Sequence, residues 1–499
     1  MINLDKRYLG GLLLLAALSL GSVPANSQVI SAYVTKADRS SLFEKVESAG
    51  EFRAGAGRGN SLDRIIVDPG QTYQTMTGFG FALTGGSAEH LINMTPSERA
   101  KILYETFDPK GGIGVSTIRL TVGASDLNSF VFFYDDMPAG QEDMELKHFS
   151  LGQDYNDVIP VMKEILAINP DIEIIASPWS APTWMKDNGK AKGGHLRKEC
   201  YDVYARYFAK YIKAMEAEGI HIDGLTVQNE PLNSNNTPSM VWHPADQAEF
   251  VKNYLGPTFE KEKITTGIIV FDHNTDRMDY PLAIYNDPDA DKYVKGAAYH
   301  NYAGNMSTMS YVHDMRPDKP IYFTEQMTTE RPGSPEIAIS SSVNRLLIQT
   351  TRNWTQDVIL WNLAADSHND PHTDDGGCSM CQGALTIEGN TVDKNIAFWV
   401  IAHASKMVRP GSVRIHSTAP GDKLVYISED EQMRGSYRAN IIDHADVLDN
   451  VAFATPDGKI VLIVANNSLS QRSFQIQYNG LNARINLPSG AVGTYVWDK

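Results

Sequence analysis

Between about residues 75 and 365 the chain alternates between two hydrophobic rhythms. Short β-rich runs end in polar or glycine residues, and longer stretches follow with apolar positions spaced three and four apart. The short runs are Thr77–Leu83, Ser116–Thr121, Ile172–Ser177, Gly224–Gln228, Thr266–Phe271, Gly296–Tyr299, Pro320–Thr324 and Val358–Leu363. Eight strands, each followed by a helical stretch, are the set that closes a (β/α)8 TIM barrel, an α/β fold. Three helices stand out between them. Thr95-Pro96-Ser97-Glu98 reads as a capping box with proline at the first helical position, Tyr155–Asn169 is stopped by Pro170, and Tyr201–Glu218 carries apolar residues at helical spacing.

After Arg414 the rhythm changes. Lys423–Ile427, Val451–Ala454, Ile460–Val464, Phe474–Tyr478, Ala483–Leu487 and Thr494–Trp497 are short alternating runs separated by Gly, Asn, Asp and Pro. They predict an attached antiparallel β-sandwich. Residues 29–70 are strand- and turn-like and are expected to pair with it. At the N-terminus, Lys6-Arg7 precedes the apolar stretch Leu9–Leu20, and Val23-Pro24-Ala25 supplies small residues where a signal peptidase cuts. The expected organisation is a signal peptide over 1–25, a segment joining the sandwich over 26–70, a catalytic barrel over 71–408 and a sandwich over 409–499. Export to the periplasm or the outside follows, without membrane insertion, because no later stretch is apolar for long enough to span a bilayer.

Composition narrows the partners. Lys and Arg total 44 against 60 Asp and Glu, a formal charge of −16. Cleavage after Ala25 removes Asp5, Lys6 and Arg7, a net +1, and leaves −17. Such a surface repels phosphate backbones, so nucleic acid is not an expected partner. Three cysteines cannot form a disulfide framework, and the fold must stand on packing.

Barrels of this type place reactive groups at the C-terminal ends of their strands. The fourth strand ends in Gln228-Asn229-Glu230-Pro231 and the seventh in Thr324-Glu325-Gln326. A carboxylate directly after an apolar strand is costly to bury without a purpose or a partner. Two of them facing each other across a barrel mouth suit glycoside hydrolysis, where one carboxyl protonates the leaving oxygen and the other works from the opposite ring face. Aromatic residues gather at neighbouring strand ends: Trp179 and Trp184 after the third, Tyr299, His300 and Tyr302 at the sixth, Trp361 at the eighth. Indole faces stack on the apolar faces of pyranose rings, which points to a neutral sugar ligand.

Gly78-Phe79-Gly80, Arg119 with Ser125-Asp126, the run Ser177 to Lys186, Gln228 to Pro231, Thr324-Glu325 and Trp361-Asn362 together resemble glycoside hydrolase family 30. Ser405-Lys406 and Val408 to Ser412 extend the likeness into the sandwich. The resemblance implies a retaining β-glycosidase without cofactor or metal, with Glu230 as acid/base and Glu325 as nucleophile. It assigns Asn229 to the sugar 2-hydroxyl and Asp126, Trp179, His300, Tyr302 and Trp361 to the sugar pocket. Arg119 is expected to keep the nucleophile ionised, and an apolar or like-charged setting to keep Glu230 protonated. Among enzymes of this type the implied substrate is a β-1,6-glucan. The alternatives are a glucosylceramidase or other exo-acting β-glycosidase, and a carbohydrate-binding protein without catalysis. One departure is that Phe81-Ala82-Leu83-Thr84-Gly85-Gly86 lacks the acidic residue many relatives carry there.

The loop after the eighth strand, Asp366 to Cys381, holds two His, four Asp and a Cys-x-x-Cys. Its spacings miss the four-ligand zinc templates. A Cys378–Cys381 disulfide is expected instead, with Cys200 left as a free buried thiol. Gly55-x-Gly57-x-Gly59 lacks the flanking strand and helix of a phosphate cradle and reads as a turn.

Overall fold

The computed structural model describes residues 28–54, 63–331, 333–422, 424–426, 440–442 and 447–499. The signal peptide over 1–25, the Gly55–Gly59 turn and the ends of the Lys423–Ile427 run lie outside the described residues. Three strands come first: β1 (Gln28–Thr35), β2 (Glu44–Phe52) and β3 (Arg64–Thr75). The barrel follows with β4 (Gly78–Leu83), β5 (Thr117–Thr121), β6 (Glu173–Ser177), β7 (Gly224–Thr226), β8 (Gly267–Thr275), β9 (Val294–Gly304), β10 (Ile321–Glu325) and β11 (Asp357–Leu360). These pair in parallel and in chain order, and β11 returns to β4 with Asp357 opposite Gly78. At the closing seam Gln356 N–H donates to Ile321 O at 2.8 Å, and Phe323 N–H donates to the Asp357 carboxylate at 2.8 Å. A side chain thus supplies one rung of the ladder.

All eight predicted strands are present, with β8 and β9 running on to Thr275 and Gly304. The helices differ at their starts. Pro96–Phe107 begins at its proline, but Thr95 makes no side-chain cap bond. The stretch expected to be helical from Tyr155 begins instead as a 3-10 turn, Gly152–Tyr155, and the α-helix Val158–Ile168 starts where the Asp157 carboxylate accepts from Val158 N–H at 2.6 Å. Tyr201–Ala217 is helical as predicted. Among the described residues no helix is long and apolar enough to cross a membrane.

The barrel interior is built in layers, because residues two apart on a strand share a face. Ile175, Ile269, Ala298, Tyr322 and Ile359 form one small buried apolar cluster. Two residues further along β6, β9 and β10 stand Ser177, His300 and Thr324, and Thr226 occupies the same level on β7, all buried. On β8 the corresponding residue is Phe271. A bulge at Phe271/Asp272, where φ is +72° and +64°, turns Phe271 outward against Tyr280 and Tyr299 and gives its place to Asp272. The result is a polar deck over an apolar plug.

After the barrel come β12 (Ala364–Ala365), β13 (Leu385–Glu388) and β14 (Thr391–Lys394), the helix Ile396–Ser405, then β15 (Val413–Ser417), β16 (Leu424–Tyr426), β17 (Asn440–Ile442), β18 (Asp449–Ala454), β19 (Lys459–Ala465), β20 (Arg472–Tyr478), β21 (Leu481–Leu487) and β22 (Val492–Asp498). Nine strands form one sheet in the order β2-β1-β22-β19-β18-β15-β3-β20-β21, so the N-terminal strands join the C-terminal ones. The sheet folds over its own apolar core of residues such as Ile30, Phe52, Leu462, Ile476 and Trp497. Its first and last strands meet so closely that a Cβ on Gly50 would lie 2.6 Å from Ile485 Cδ1.

Two polar side chains, the half-buried Arg352 and the buried His403, lock sandwich to barrel. Arg352 donates to Asn450 O at 2.6 Å and to Ser417 O at 2.8 Å. His403 lies between two threonines: its Nδ1 is 2.9 Å from Thr494 Oγ1 and its Nε2 2.9 Å from Thr35 Oγ1. Thr494 already donates its hydroxyl to His403 O, so Nδ1 carries the hydrogen and Nε2 accepts from Thr35. Burial pushes this imidazole down to about 3, because protonation would remove the acceptor Thr35 uses and bury a charge. The neutral form therefore contributes stability that is complete above about pH 6.5 and declines toward about pH 3, by up to about 1.4 kcal/mol per unit. His403→Gln, which keeps one donor and one acceptor, is expected to lower the melting temperature at pH 7.5 and to lose that disadvantage as the pH falls to 4. Parallel pH profiles for the two proteins in thermal scans would refute the His403 contribution.

Candidate active site

Arg119, fully buried on β5, is the hub of the polar deck. One guanidinium nitrogen donates to Glu325 Oε2 at 2.6 Å. The other donates to Asp272 Oδ2 and to Asn229 Oδ1, both at 2.8 Å, and to Ser177 Oγ at 3.2 Å. Burial disfavours the cation, but Asp272 and Glu325 outweigh it and hold Arg119 above its ordinary value. The guanidinium carbon also sits 4.9 Å from the centre of the Trp179 ring, which stacks on Trp361 at 5.2 Å.

Asp272 is equally buried and accepts from five directions. Oδ2 takes Arg119, Ser177 at 2.8 Å and Thr226 at 2.7 Å, and Oδ1 takes Thr324 at 2.6 Å and His300 Nε2 at 3.0 Å. Against the cost of burial, Arg119 and His300 hold this carboxyl well below the usual range. His300, also fully buried, has Nδ1 3.1 Å from Glu230 Oε1 and 3.8 Å from Glu325 Oε1. Burial opposes its charge, yet Glu325, Asp272 and Glu230 carry it up to about 9.

Glu230 follows β7 with φ +44°, its N–H donating to Asp272 O at 2.9 Å. Asn233 Nδ2 donates to its Oε2 at 2.7 Å, and His273 Nδ1 stands 3.6 Å from its Oε1. The expected apolar or like-charged setting is not what surrounds this carboxyl. Two imidazoles and an amide do, and although burial works the other way, contacts with His273 and His300 hold Glu230 below its ordinary value. Both shifts favour the proton of the Glu230–His300 pair on the imidazole.

Glu230 and Glu325 border a cavity of about 390 Å³ that is also lined by Asp126, Trp179, Trp361, Tyr302, His273, Asn233, Asn236, Asn274, Leu232 and Met327. Tyr302 donates its hydroxyl to Glu325 Oε1 at 3.1 Å. Asp126 is buried beside both glutamates, and burial, then the charges of Glu325 and Glu230, push it up to about 8. Asn229 spends its amide oxygen on Arg119 and has its amide nitrogen without a partner among the described residues. The Cys378–Cys381 disulfide forms, with S–S at 2.03 Å, and borders the cavity, while Cys200 is a free buried thiol.

Arg119, Asp126, Trp179, Asn229, Glu230, His300, Tyr302, Glu325 and Trp361 thus converge on one place, whereas Tyr299 packs against Phe271 outside it, and the structure adds Asp272, His273 and Asn233. Asp272-His273 directly follows the apolar run Thr266–Phe271, so the strand-end criterion that picks out Glu230 and Glu325 applies to it too. Within the run from Ser177 to Lys186 the roles divide. Ser177 and Trp179 enter the site, whereas Trp184 donates to Asp135 O at 2.8 Å and Lys186 is spent on Ser180 Oγ, Ala191 O and Ser239 O at 2.7–2.9 Å. Gly85 and Gly86 are sterically demanded: a Cβ on Gly85 would meet Asn128 Nδ2 at 1.9 Å, and one on Gly86 would meet Leu127 O at 2.7 Å.

Removing the Asp272 charge leaves a buried guanidinium with half its compensation, which costs on the order of 3–5 kcal/mol for a fully buried pair. Asp272→Asn is expected to lower the midpoint of chemical denaturation and to shift the His300 titration, followed by imidazole NMR, downward from about 9. A His300 titration that does not move would show that Asp272 does not set its charge.

Comparison with known proteins agrees with this geometry. The model of the glycosyl hydrolase family 30 TIM-barrel domain matches residues 76–408, and that of the family 30 beta sandwich domain matches 411–495. An endo-1,6-beta-D-glucanase of Aspergillus fumigatus is 28% identical over 98% of this chain and 98% of its own length. One from Neurospora crassa is 31% identical over 72% of this chain and 76% of its own. A solved endo-beta1,6-glucanase superposes with a TM-score of 0.80 at 31% identity, covering 94% of this chain and all of that one. The chain belongs to glycosyl hydrolase family 30 and is a glycoside hydrolase.

Proposed function

We propose that this protein is a secreted endo-acting β-1,6-glucanase that hydrolyses its substrate with retention, Glu325 being the nucleophile and Glu230 the acid/base. The observation that carries the mechanism is the single His300 nitrogen in reach of both carboxylates. The separation of their two oxygens cannot exceed the sum of those contacts, 3.1 and 3.8 Å, and any bend at the nitrogen shortens it. The roughly 5–5.5 Å of retaining enzymes falls inside that limit, whereas the water-admitting spacing of inverting ones, about 6.5–9.5 Å, lies almost wholly beyond it.

In this reading Glu325 attacks the anomeric carbon with one oxygen steadied by Arg119 and the other by Tyr302. The leaving oxygen takes its proton from the Glu230–His300 pair, across the 3.1 Å contact that holds it. Glu230, left as a carboxylate, then draws the proton from the water that breaks the glycosyl ester, and His300 recovers it. The free amide nitrogen of Asn229, next to Arg119 and Glu325, is placed to donate to the sugar 2-hydroxyl as positive charge develops on the ring. Asp126, protonated at neutral pH, donates to a hydroxyl of the same sugar, whose apolar face lies against Trp179 and Trp361.

Besides the residues assigned to the sugar, the cavity is lined by Leu232, Asn233, Asn236, His273, Asn274, Met327 and the Cys378–Cys381 disulfide. Three amides and an imidazole offer hydrogen bonds to a sugar aglycone, and the relatives aligned over nearly the whole chain are named for β-1,6-glucan. The acidic charge is consistent with a neutral polymer, and the apolar stretch Leu9–Leu20 with export.

Three outcomes test the assignment. Incubation with β-1,6-glucan, β-1,3-glucan, xylan and glucosylceramide should yield oligosaccharides from the first alone; glucose released only from glucosylceramide would replace the glucan reading. Glu325→Ala should lose at least about 10³-fold in kcat on an aryl β-glucoside, and azide should restore turnover as the α-glucosyl azide. Wild-type turnover in that variant would reject the nucleophile. Glu230→Gln should lose on the order of 10²–10⁴-fold on glucan and far less on a substrate with an activated leaving group.

A further inference from the structure

One ligand atom from each of Glu230, His273 and His300 lies within 4.8 Å of the other two. Glu230 Oε1 is 3.1 Å from His300 Nδ1 and 3.6 Å from His273 Nδ1. Zn²⁺ bonds of about 2.0–2.2 Å, arranged as a tetrahedron, set neighbouring ligand atoms roughly 3.3 Å apart, which these distances bracket. His273 is 8% exposed, and its Nδ1 is buried without a hydrogen-bond partner among the described residues. A buried imidazole nitrogen left unpaired is a cost that a bound group would remove. The far nitrogen of His300 is held by Asp272 at 3.0 Å, the carboxylate–histidine arrangement that orients an imidazole for a metal. Glu230 and His273 both border the cavity, which leaves a fourth position open to water.

We propose that Glu230, His273 and His300 form a binding site for a borderline-soft divalent cation such as Zn²⁺. The cation occupies the Glu230 oxygen and the His300 nitrogen that stand 3.1 Å apart and that the proposed hydrolysis uses, so occupancy and acid catalysis exclude each other. Two histidines and a glutamate with one open position are a ligand set that Zn²⁺ accepts. The site is inhibitory, and its occupation would tie glucan hydrolysis to the free metal level around the protein. This last step rests on Glu230 being the acid/base; the metal site itself does not.

The experiment is titration of the full chain, first stripped with EDTA, with Co²⁺ and then Zn²⁺. A single equivalent of Co²⁺ should develop tetrahedral visible absorption that Zn²⁺ abolishes, and Zn²⁺ should shift the ring nitrogen signals of His273 and His300. His273→Ala should weaken binding by more than the roughly 10–100-fold expected for Asp272→Asn, which removes only the orienting carboxylate. His368→Ala, in the more exposed cluster of Asp366, His368 and Glu388, should leave it unchanged. No Co²⁺ absorption, full binding in folded His273→Ala, or zinc shifts at His368 instead would overturn the site. Because the NMR reading uses the wild-type chain, a variant that fails to fold does not blunt the test. Zinc inhibition of hydrolysis reversed by EDTA supports the proposal; zinc bound at these three residues with hydrolysis unimpaired would overturn the acid/base role of Glu230 and not the metal site.

Discussion

The ion pair between Arg119 and Asp272, both without exposure, is the constraint on which the rest of the site depends. A lone charge at that depth is prohibitively costly, and neither partner is tolerable without the other. Their union fixes the lateral position of three further groups. Arg119 reaches out to Glu325 and Asn229, and Asp272 reaches out to His300, so the relative positions of these three side chains are set from one buried centre. Ser177, Thr226 and Thr324 complete the shell by satisfying the lone pairs of Asp272 that the ions leave open. Polar groups held this way need little reorganisation when charge develops beside them.

The barrel earns this centre through its layering. An apolar plug below and a polar deck above follow from the two-residue period of the strands, except on β8, where periodicity would have put Phe271 inside. The bulge there takes two left-handed residues, a conformation that costs of order 1–3 kcal/mol each when the residue is not glycine. It is offset by placing Asp272 against Arg119 and Phe271 against Tyr280 and Tyr299. Glu230, with its own positive φ, hangs on the same bulge through the carbonyl of Asp272. Strain is concentrated where the chemistry is.

Much of the site was legible before any coordinates. Glu230, Glu325, Trp179, Trp361 and His300 each sit at the end of an apolar run, and strand ends are where barrels keep reactive groups. The Cys-x-x-Cys could be read as a local staple because two cysteines three apart in an exported chain have few other uses. Asp272 satisfied the same strand-end rule, but its place inside the barrel depends on a bulge that alternation does not reveal. The surroundings of Glu230 are not legible in the sequence, because His273 and His300 come from two other strands and nothing local to Gln228-Asn229-Glu230-Pro231 records them. Thr95 shows the same limit on a small scale, since a capping sequence was present and the cap bond was not made.

Sequence by itself determined the eight barrel strands and their order, the two architectural units, the acidic charge and the two carboxylates at the ends of separate strands. Those are consequences of periodicity and composition, which act locally along the chain. Only the tertiary structure decided which charges are neighbours: that one arginine serves two carboxylates, and that two histidines flank a glutamate. The physical reason is that electrostatic energy in a buried site depends on distances of a few ångströms between residues about 30 to 210 positions apart in the chain, and only packing sets those distances.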